Sequence, residues 1–372
     1  MRIAIPTEIK NNEYRVAITP AGVHELVARG HEVFIQSGAG EGSGFTDGDF
    51  VTQGAKMLSS AEEVWAHGDL LLKVKEPIKS EYKLMRRDQV LFTYLHLAAS
   101  RECTQALLDS GTTAIAYETV QLANRALPLL QPMSEVAGRL SAQIGAYQLM
   151  KNEDGTGVLM GGVPGTPKAK VVVIGGGVAG EHAATIANGM QADVTVIDIS
   201  IPKLREIDER FGGQVKTRVS TAYEIAEQLK DADLVIGSVL IPGEKAPKLV
   251  TDAMVKTMKP GSVLVDIAID QGGCFENSKP TTHDAPTFKV HNSIYYCVAN
   301  MPGAVPATST RALTNATLPY VLALADKGWK QALIKDEALA KGLNTHEGKI
   351  TYSGVAQAFP DLPSVELASV LA

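Results

Sequence analysis

The stretch Val171-Val172-Val173-Ile174-Gly175-Gly176-Gly177-Val178-Ala179-Gly180 decides the fold. Its apolar, β-branched half reads as a buried strand, and the residues after Gly177 open a helix. The glycines fit G-x-G-x-x-G in the strand–turn–helix setting that this motif requires. Gly175 permits the tight turn, Gly177 lets the backbone approach a pyrophosphate at the helix N-terminus, and Gly180 lets helix and strand pack closely. A second strand over 192–197 leads into Asp198, 18 residues after Gly180. A carboxylate there accepts from adenosine ribose hydroxyls and repels a 2′-phosphate, so NAD is expected over NADP. Lys203 and Arg205 lie nearby and work against that preference. The other glycine run, 37–44, has the wrong spacing. It reads as a loop, and Phe45-Thr46-Asp47-Gly48 after it as no clean helix start.

Outward from this unit, short apolar runs alternate with helical patterns. Strands are expected over 2–6, 31–36, 70–74, 90–97 and 113–117 before it. Within it they are expected over 171–174, 194–198, 234–236, 263–267 and 294–298. Thr19 and Pro20 mark a helix N-terminus that Gly30 closes. Long helical stretches over 131–152 and 308–326 read as two crossings between domains. The expected fold is α/β with two domains, a Rossmann domain over 129–307 inserted in a discontinuous α/β domain made of 1–128 and 308–372. A chain of 372 residues suits two domains.

Bulk properties exclude several classes. The net charge is −6 and no basic block stands out, so nucleic acid is not expected as a partner. No apolar run reaches the ~18 residues of a membrane helix, and the first residues lack a signal-peptide core. Cys103, Cys274 and Cys297 have neither metal nor disulfide spacing, so no metal is expected and a reduced, cytoplasmic setting is.

Ligands of open α/β sheets bind beyond the carboxyl ends of strands. Ionisable residues at such ends are Lys75 after 70–74, His96 near the end of 90–97, and Asp270 after 263–267, with Arg15 in the loop after the first strand. Strict alternation would put His96 on the face of Phe92 and Tyr94. A cleft between domains would bring these groups together. Each also has an ordinary structural reading: a surface arginine, a snorkelling lysine, a turn-capping aspartate, a structural histidine.

Five blocks resemble the bacterial alanine dehydrogenase family across essentially the whole chain. They are Glu13-Tyr14-Arg15-Val16-Ala17-Ile18-Thr19-Pro20, Leu72-Lys73-Val74-Lys75-Glu76-Pro77, Tyr94-Leu95-His96-Leu97-Ala98, Pro132-Met133-Ser134-Glu135-Val136-Ala137-Gly138, and Val265-Asp266-Ile267-Ala268-Ile269-Asp270-Gln271-Gly272-Gly273. The resemblance implies reversible, NAD-dependent oxidative deamination of L-alanine to pyruvate and ammonium, by a cytoplasmic homohexamer active in amino-acid catabolism. It implies that Arg15 and Lys75 hold the substrate carboxylate, that His96 is the general acid/base, and that Asp270 supports proton transfer and the amine. It also implies a cofactor site lined by Met133, Ser134, Val178, Asp198, Lys203, Ser220, Val239, Leu240, Ile267, Asp270, Val298, Asn300 and Met301, beside Gly175, Gly177 and Gly180. The rival readings are the NAD-binding part of proton-translocating transhydrogenase, another amino- or imino-acid dehydrogenase such as one acting on saccharopine, and a non-enzymatic NAD sensor. The first and last have no use for the ionisable groups, and the transhydrogenase family does not place Lys, His and Asp at 75, 96 and 270.

Overall fold

The computed structural model describes residues 1–239 and 246–372. It divides into two α/β units, one of Met1–Met133 with Val305–Ala372 and one of Ser134–Ala304. Strands are numbered along the chain. The first unit holds β1 Arg2–Ile5, β2 Glu32–Gln36, β3 Lys56–Leu58, β4 Leu70–Leu72, β5 Val90–Thr93, β6 Thr113–Ala116, β14 Leu343–His346 and β15 Lys349–Ile350. The second holds β7 Lys170–Ile174, β8 Asp193–Asp198, β9 Lys216–Val219, β10 Leu234–Gly237, β11 Val263–Asp266, β12 Thr287–Val290 and β13 Ser293–Tyr296.

The second sheet runs β12-β13-β11-β10-β7-β8-β9, parallel except for β12 at its edge. From β9 back through β7 and out to β13 this is the doubly wound order, with its switch point between β7 and β10. The central strands are apolar on both faces, as a parallel sheet covered by helices requires. Val171 and Val173 pack with Ala183, Ala184 and Ala187 of the helix Val178–Gly189 on one side. Val172 and Ile174 pack with Ile225, Leu229 and Phe275 on the other.

The first sheet runs β15-β14-β6-β5-β4-β1-β2-β3, with β14 and β15 antiparallel and the rest parallel. From β3 through β1 and out to β6 it repeats the same order, so its switch point lies between β1 and β4. The loops leaving those two strands carry Arg15 and Lys75.

Several sequence expectations are corrected. The strand expected over 90–97 stops at Thr93, so alternation does not govern His96. The helix expected over 131–152 ends at Gln148 and is followed by a 3-10 turn at Lys151–Glu153. Phe45-Thr46-Asp47-Gly48 does open a helix, Asp47–Thr52: Thr46 accepts from the Asp49 amide at 3.2 Å and Asp49 returns to the Thr46 amide at 2.8 Å. The capping box lay one residue beyond the tetrapeptide. The start at Pro20 holds, with Thr19 accepting from the Gly22 amide. No helix among the described residues is long and apolar enough to cross a membrane.

Candidate functional site

In the second unit the glycine turn leaves β7 with Gly175 at φ +100°, a conformation that side chains rarely adopt. A Cβ on Gly180 would overlap the carbonyl oxygen of Gly175, which enforces the close approach of helix and strand. A Cβ on Gly177 would meet nothing within 4 Å, so the surface there is open. Gly177 caps the helix Val178–Gly189 without a side-chain bond among the described residues. Its first amides therefore face outward at the positive end of the helix. The switch point is closed by Ser238, whose hydroxyl donates to the carbonyls of Ile174 (2.9 Å) and Gly175 (2.8 Å). Asp198 ends β8 with Oδ2 on the Gly176 amide at 2.6 Å and Oδ1 on the Ser200 amide at 2.7 Å. One carboxylate thus joins the glycine turn to the end of the neighbouring strand. These are features that a bound dinucleotide needs: exposed amides for the pyrophosphate and an acid at the next strand end.

The other residues expected around a cofactor divide by unit. Met133 lies in the first. Ser134, Val178, Lys203, Ser220, Val239, Ile267, Asp270, Val298, Asn300 and Met301 lie in the second. Val298 and Met301 are buried, Val178 is exposed, and Asn300 has φ +66°. Lys203 forms an ion pair with Glu206 at 2.5 Å. Leu240 lies outside the described residues. Asp270 is exposed on a 3-10 turn, Ile267–Gln271, that directly follows β11. The turn is secured by buried Asp266, which accepts from the amides of Ala268 (3.1 Å) and Cys274 (2.9 Å) and from the Ser278 hydroxyl (2.5 Å).

In the first unit, Arg15 is 2% exposed. Its Nε donates to Glu13 Oε1 at 2.6 Å and Nη2 to Oε2 at 2.5 Å, while Nη1 meets Met133 Sδ at 3.0 Å. Burial alone would lower its pKa, but the Glu13 carboxylate outweighs this and the net shift is upward. Glu13 thus takes the edge of the guanidinium formed by Nε and Nη2. Lys75 is half-buried just past β4.

His96 has φ +48° and ψ 40°, the left-handed region, which costs a non-glycine residue about 1–2 kcal/mol. Glu118 supports it: one carboxylate oxygen accepts from the His96 amide at 2.6 Å, and both lie within 3.3 Å of the Leu95 amide. The His96 side chain is 42% exposed, its ring stacks on Tyr94 at 5.9 Å, and Nδ1 lies 4.0 Å from Glu118 Oε1. Tyr94 is anchored by its hydroxyl, which donates to the Leu129 carbonyl at 2.5 Å. Burial raises the Tyr94 phenol well above its ordinary range and keeps it a neutral donor.

The first unit thus carries an arginine and a lysine on the loops of one switch point, and a histidine beyond the adjoining strand. The second presents the glycine turn, Asp198 and Asp270. Sequence reading had not singled out the supporting carboxylates Glu8, Glu13, Glu118 and Asp266. Lys73, a charge inside the apolar run Leu70–Val74, was a usable signal that buried acids must lie nearby.

Strand order and glycine turn place the protein in the doubly wound α/β class. Residues 4–137 match the profile described as alanine dehydrogenase/PNT, N-terminal domain, and residues 141–353 its C-terminal domain. An alanine dehydrogenase of Mycolicibacterium smegmatis is 66% identical over 100% of both chains. One of Halomonas elongata is 57% identical, also over 100% of both. A solved L-alanine dehydrogenase structure superimposes with TM-score 0.94 at 52% identity, over 97% of this chain and 99% of that one. A transhydrogenase structure from Sinorhizobium meliloti gives TM-score 0.82 at 27% identity, over 94% and 100%. The chain belongs to the alanine dehydrogenase/PNT family.

Proposed function

We propose that this protein is an NAD-dependent alanine dehydrogenase, converting L-alanine and water to pyruvate and ammonium and running reversibly. The observation that carries the reading is 66% identity to an alanine dehydrogenase over the full length of both chains. The groups such a reaction needs are all present.

When bound, NAD supplies the hydride acceptor at its nicotinamide. Its pyrophosphate would lie against the amides after Gly177, and its adenosine ribose against Asp198. Lys75 and Arg15 hold the alanine carboxylate. Alanine reacts as its free amine, its ammonium proton having passed to solvent, and loss of hydride from Cα then leaves an iminium group. His96 takes a proton from the water that adds there, and imidazole suits this because it both accepts and gives protons near neutrality. The resulting carbinolamine loses its nitrogen as ammonia, protonated to ammonium, and its hydroxyl becomes the pyruvate carbonyl. Asp270 stabilises the cationic nitrogen. The proposed substrate groups Arg15, Lys75 and His96 belong to the first unit, and most of the proposed cofactor groups belong to the second. Adding L-alanine and NAD should produce NADH by absorbance, and its absence would refute the reading.

Asp198 should set cofactor choice. Asp198→Ala is expected to weaken NAD binding and to narrow the preference over NADP by about tenfold, ~1.4 kcal/mol. The variant removes both the repulsion of a 2′-phosphate and the bond to the Gly176 amide. Steady-state kinetics with both cofactors would reveal an unchanged preference if another group were responsible.

The protein is proposed to work in the cytoplasm as a homohexamer. Light scattering at working concentration checks the assembly, and a stable monomer would contradict it.

A further inference from the structure

We propose that Glu8 and Thr93 are positioning residues for Lys75, gripping its peptide at both ends so that its amine is presented to the substrate carboxylate; this rests on the function proposed above. Regular pairing ends at Leu72, and only looser bonds to the β5 segment continue: Lys73 N to the Phe92 carbonyl at 3.3 Å, and Tyr94 N to the Val74 carbonyl at 3.2 Å. The strand end is then taken over by side chains from both neighbours of β4. Glu8, three residues past the end of β1, accepts on Oε1 from the amides of Val74 (2.6 Å) and Lys75 (3.4 Å). From β5, the buried Thr93 hydroxyl donates to the Lys75 carbonyl at 3.1 Å.

Glu8 is itself held. Its Oε2 accepts from Lys73 Nζ at 3.1 Å, and the same ammonium reaches Glu81 at 2.9 Å. Glu81 in turn accepts from the Ile78 amide at 2.9 Å, beyond Lys75 in the chain. Glu8, Lys73 and Glu81 are 8%, 1% and 3% exposed. Burial pushes the Glu8 carboxyl up, with Lys73 pulling it back. Burial also opposes charge on Lys73, but Glu8 and Glu81 outweigh it and raise the ammonium above its ordinary range. A buried ionic cluster is weak evidence of net stabilisation, because desolvation offsets its attraction. It does fix geometry, and here that geometry brackets Lys75.

The test is a double-mutant cycle with kcat and the alanine KM as readouts. Glu8→Gln keeps the shape but turns an amide donor toward Lys73, and Thr93→Val removes only a hydroxyl from a strand. Each is expected to lower kcat/KM for alanine about tenfold, chiefly through KM, because misplacing a binding group is costly. NAD affinity should hold within about twofold, since the cofactor turn belongs to the other unit. In a Lys75→Ala background the same changes should cost less than about twofold, because they act through the missing amine. Additive losses, or variants with normal kcat/KM, would overturn the proposal. Labelling of Lys75 by trinitrobenzenesulfonate, read by peptide mass spectrometry against exposed Lys79, needs no turnover. It should rise about threefold in both variants as the strand end opens more often. Unchanged labelling would also overturn the proposal. If wild-type protein fails to oxidise alanine but labelling rises, the function fails while the grip on Lys75 stands.

Discussion

Replacing His96 by alanine is expected to lower kcat for alanine oxidation by about 10²–10⁴-fold, the usual contribution of a general acid/base. The structure adds a condition to this experiment. His96 sits at φ +48°, so alanine inherits a strained backbone and could lower activity by letting the turn relax. His96→Asn separates the two effects, because asparagine tolerates the left-handed region and its short side chain cannot replace the imidazole as a base. Both variants should lose turnover to a similar extent if the ring moves the proton. NAD affinity should stay within about twofold, because sites without shared partners act independently. Recovery of near-normal kcat in His96→Asn would show that the turn held by Glu118 matters and the imidazole does not.

The legible part of the sequence is the part whose chemistry is local. The run Val171–Ile174 could be read as a buried parallel strand because both its faces are covered and neither needs a polar residue. The glycine turn was readable for a similar reason: Gly175 and Gly180 answer to backbone constraints within a few residues of themselves. The strands not foreseen are short or peripheral. In β9, Lys216-Thr217-Arg218-Val219 is mostly exposed at a sheet edge, and β15 is a two-residue strand. Neither carries enough apolar pattern to be distinguished from a loop. The first sheet's doubly wound order was hidden because it depends on β3, which is three residues long.

The site was legible as a set of residue types and not as an arrangement. Arg15, Lys75 and His96 stand out near strand ends, but what shapes them comes from elsewhere in the sequence. Glu118 is 22 residues from the amide of His96 that it holds, and Glu8 is 66 from that of Val74. No periodicity links a carboxylate to a backbone amide across a sheet. The left-handed turn at His96 was equally invisible, since histidine, though enriched at positive φ, adopts it in only a small minority of cases.

Pyruvate and NADH should react only when ammonium is supplied, and the product should be L-alanine. A cationic carboxylate clamp beside a histidine also serves plain reduction of a 2-oxo acid, so Arg15, Lys75 and His96 do not by themselves distinguish amination from formation of lactate. Asp270 is the group that does. A ketone reductase needs a proton donor at the carbonyl, whereas amination develops positive charge on nitrogen, which a carboxylate stabilises. Asp270 is exposed on a turn whose framework is held by Asp266, so the Asp270 side chain can be changed without removing those bonds. Asp270→Asn has nearly the same shape and lacks the charge. It is therefore expected to lower kcat/KM for amination by about 10²-fold or more, in the range of other charge-stabilising groups. NADH loss is followed with pyruvate, with and without ammonium, and the product is identified. Rapid loss without ammonium that yields lactate would overturn the proposed reaction and leave the doubly wound fold untouched. Amination surviving in Asp270→Asn would instead assign the stabilisation of nitrogen to another residue.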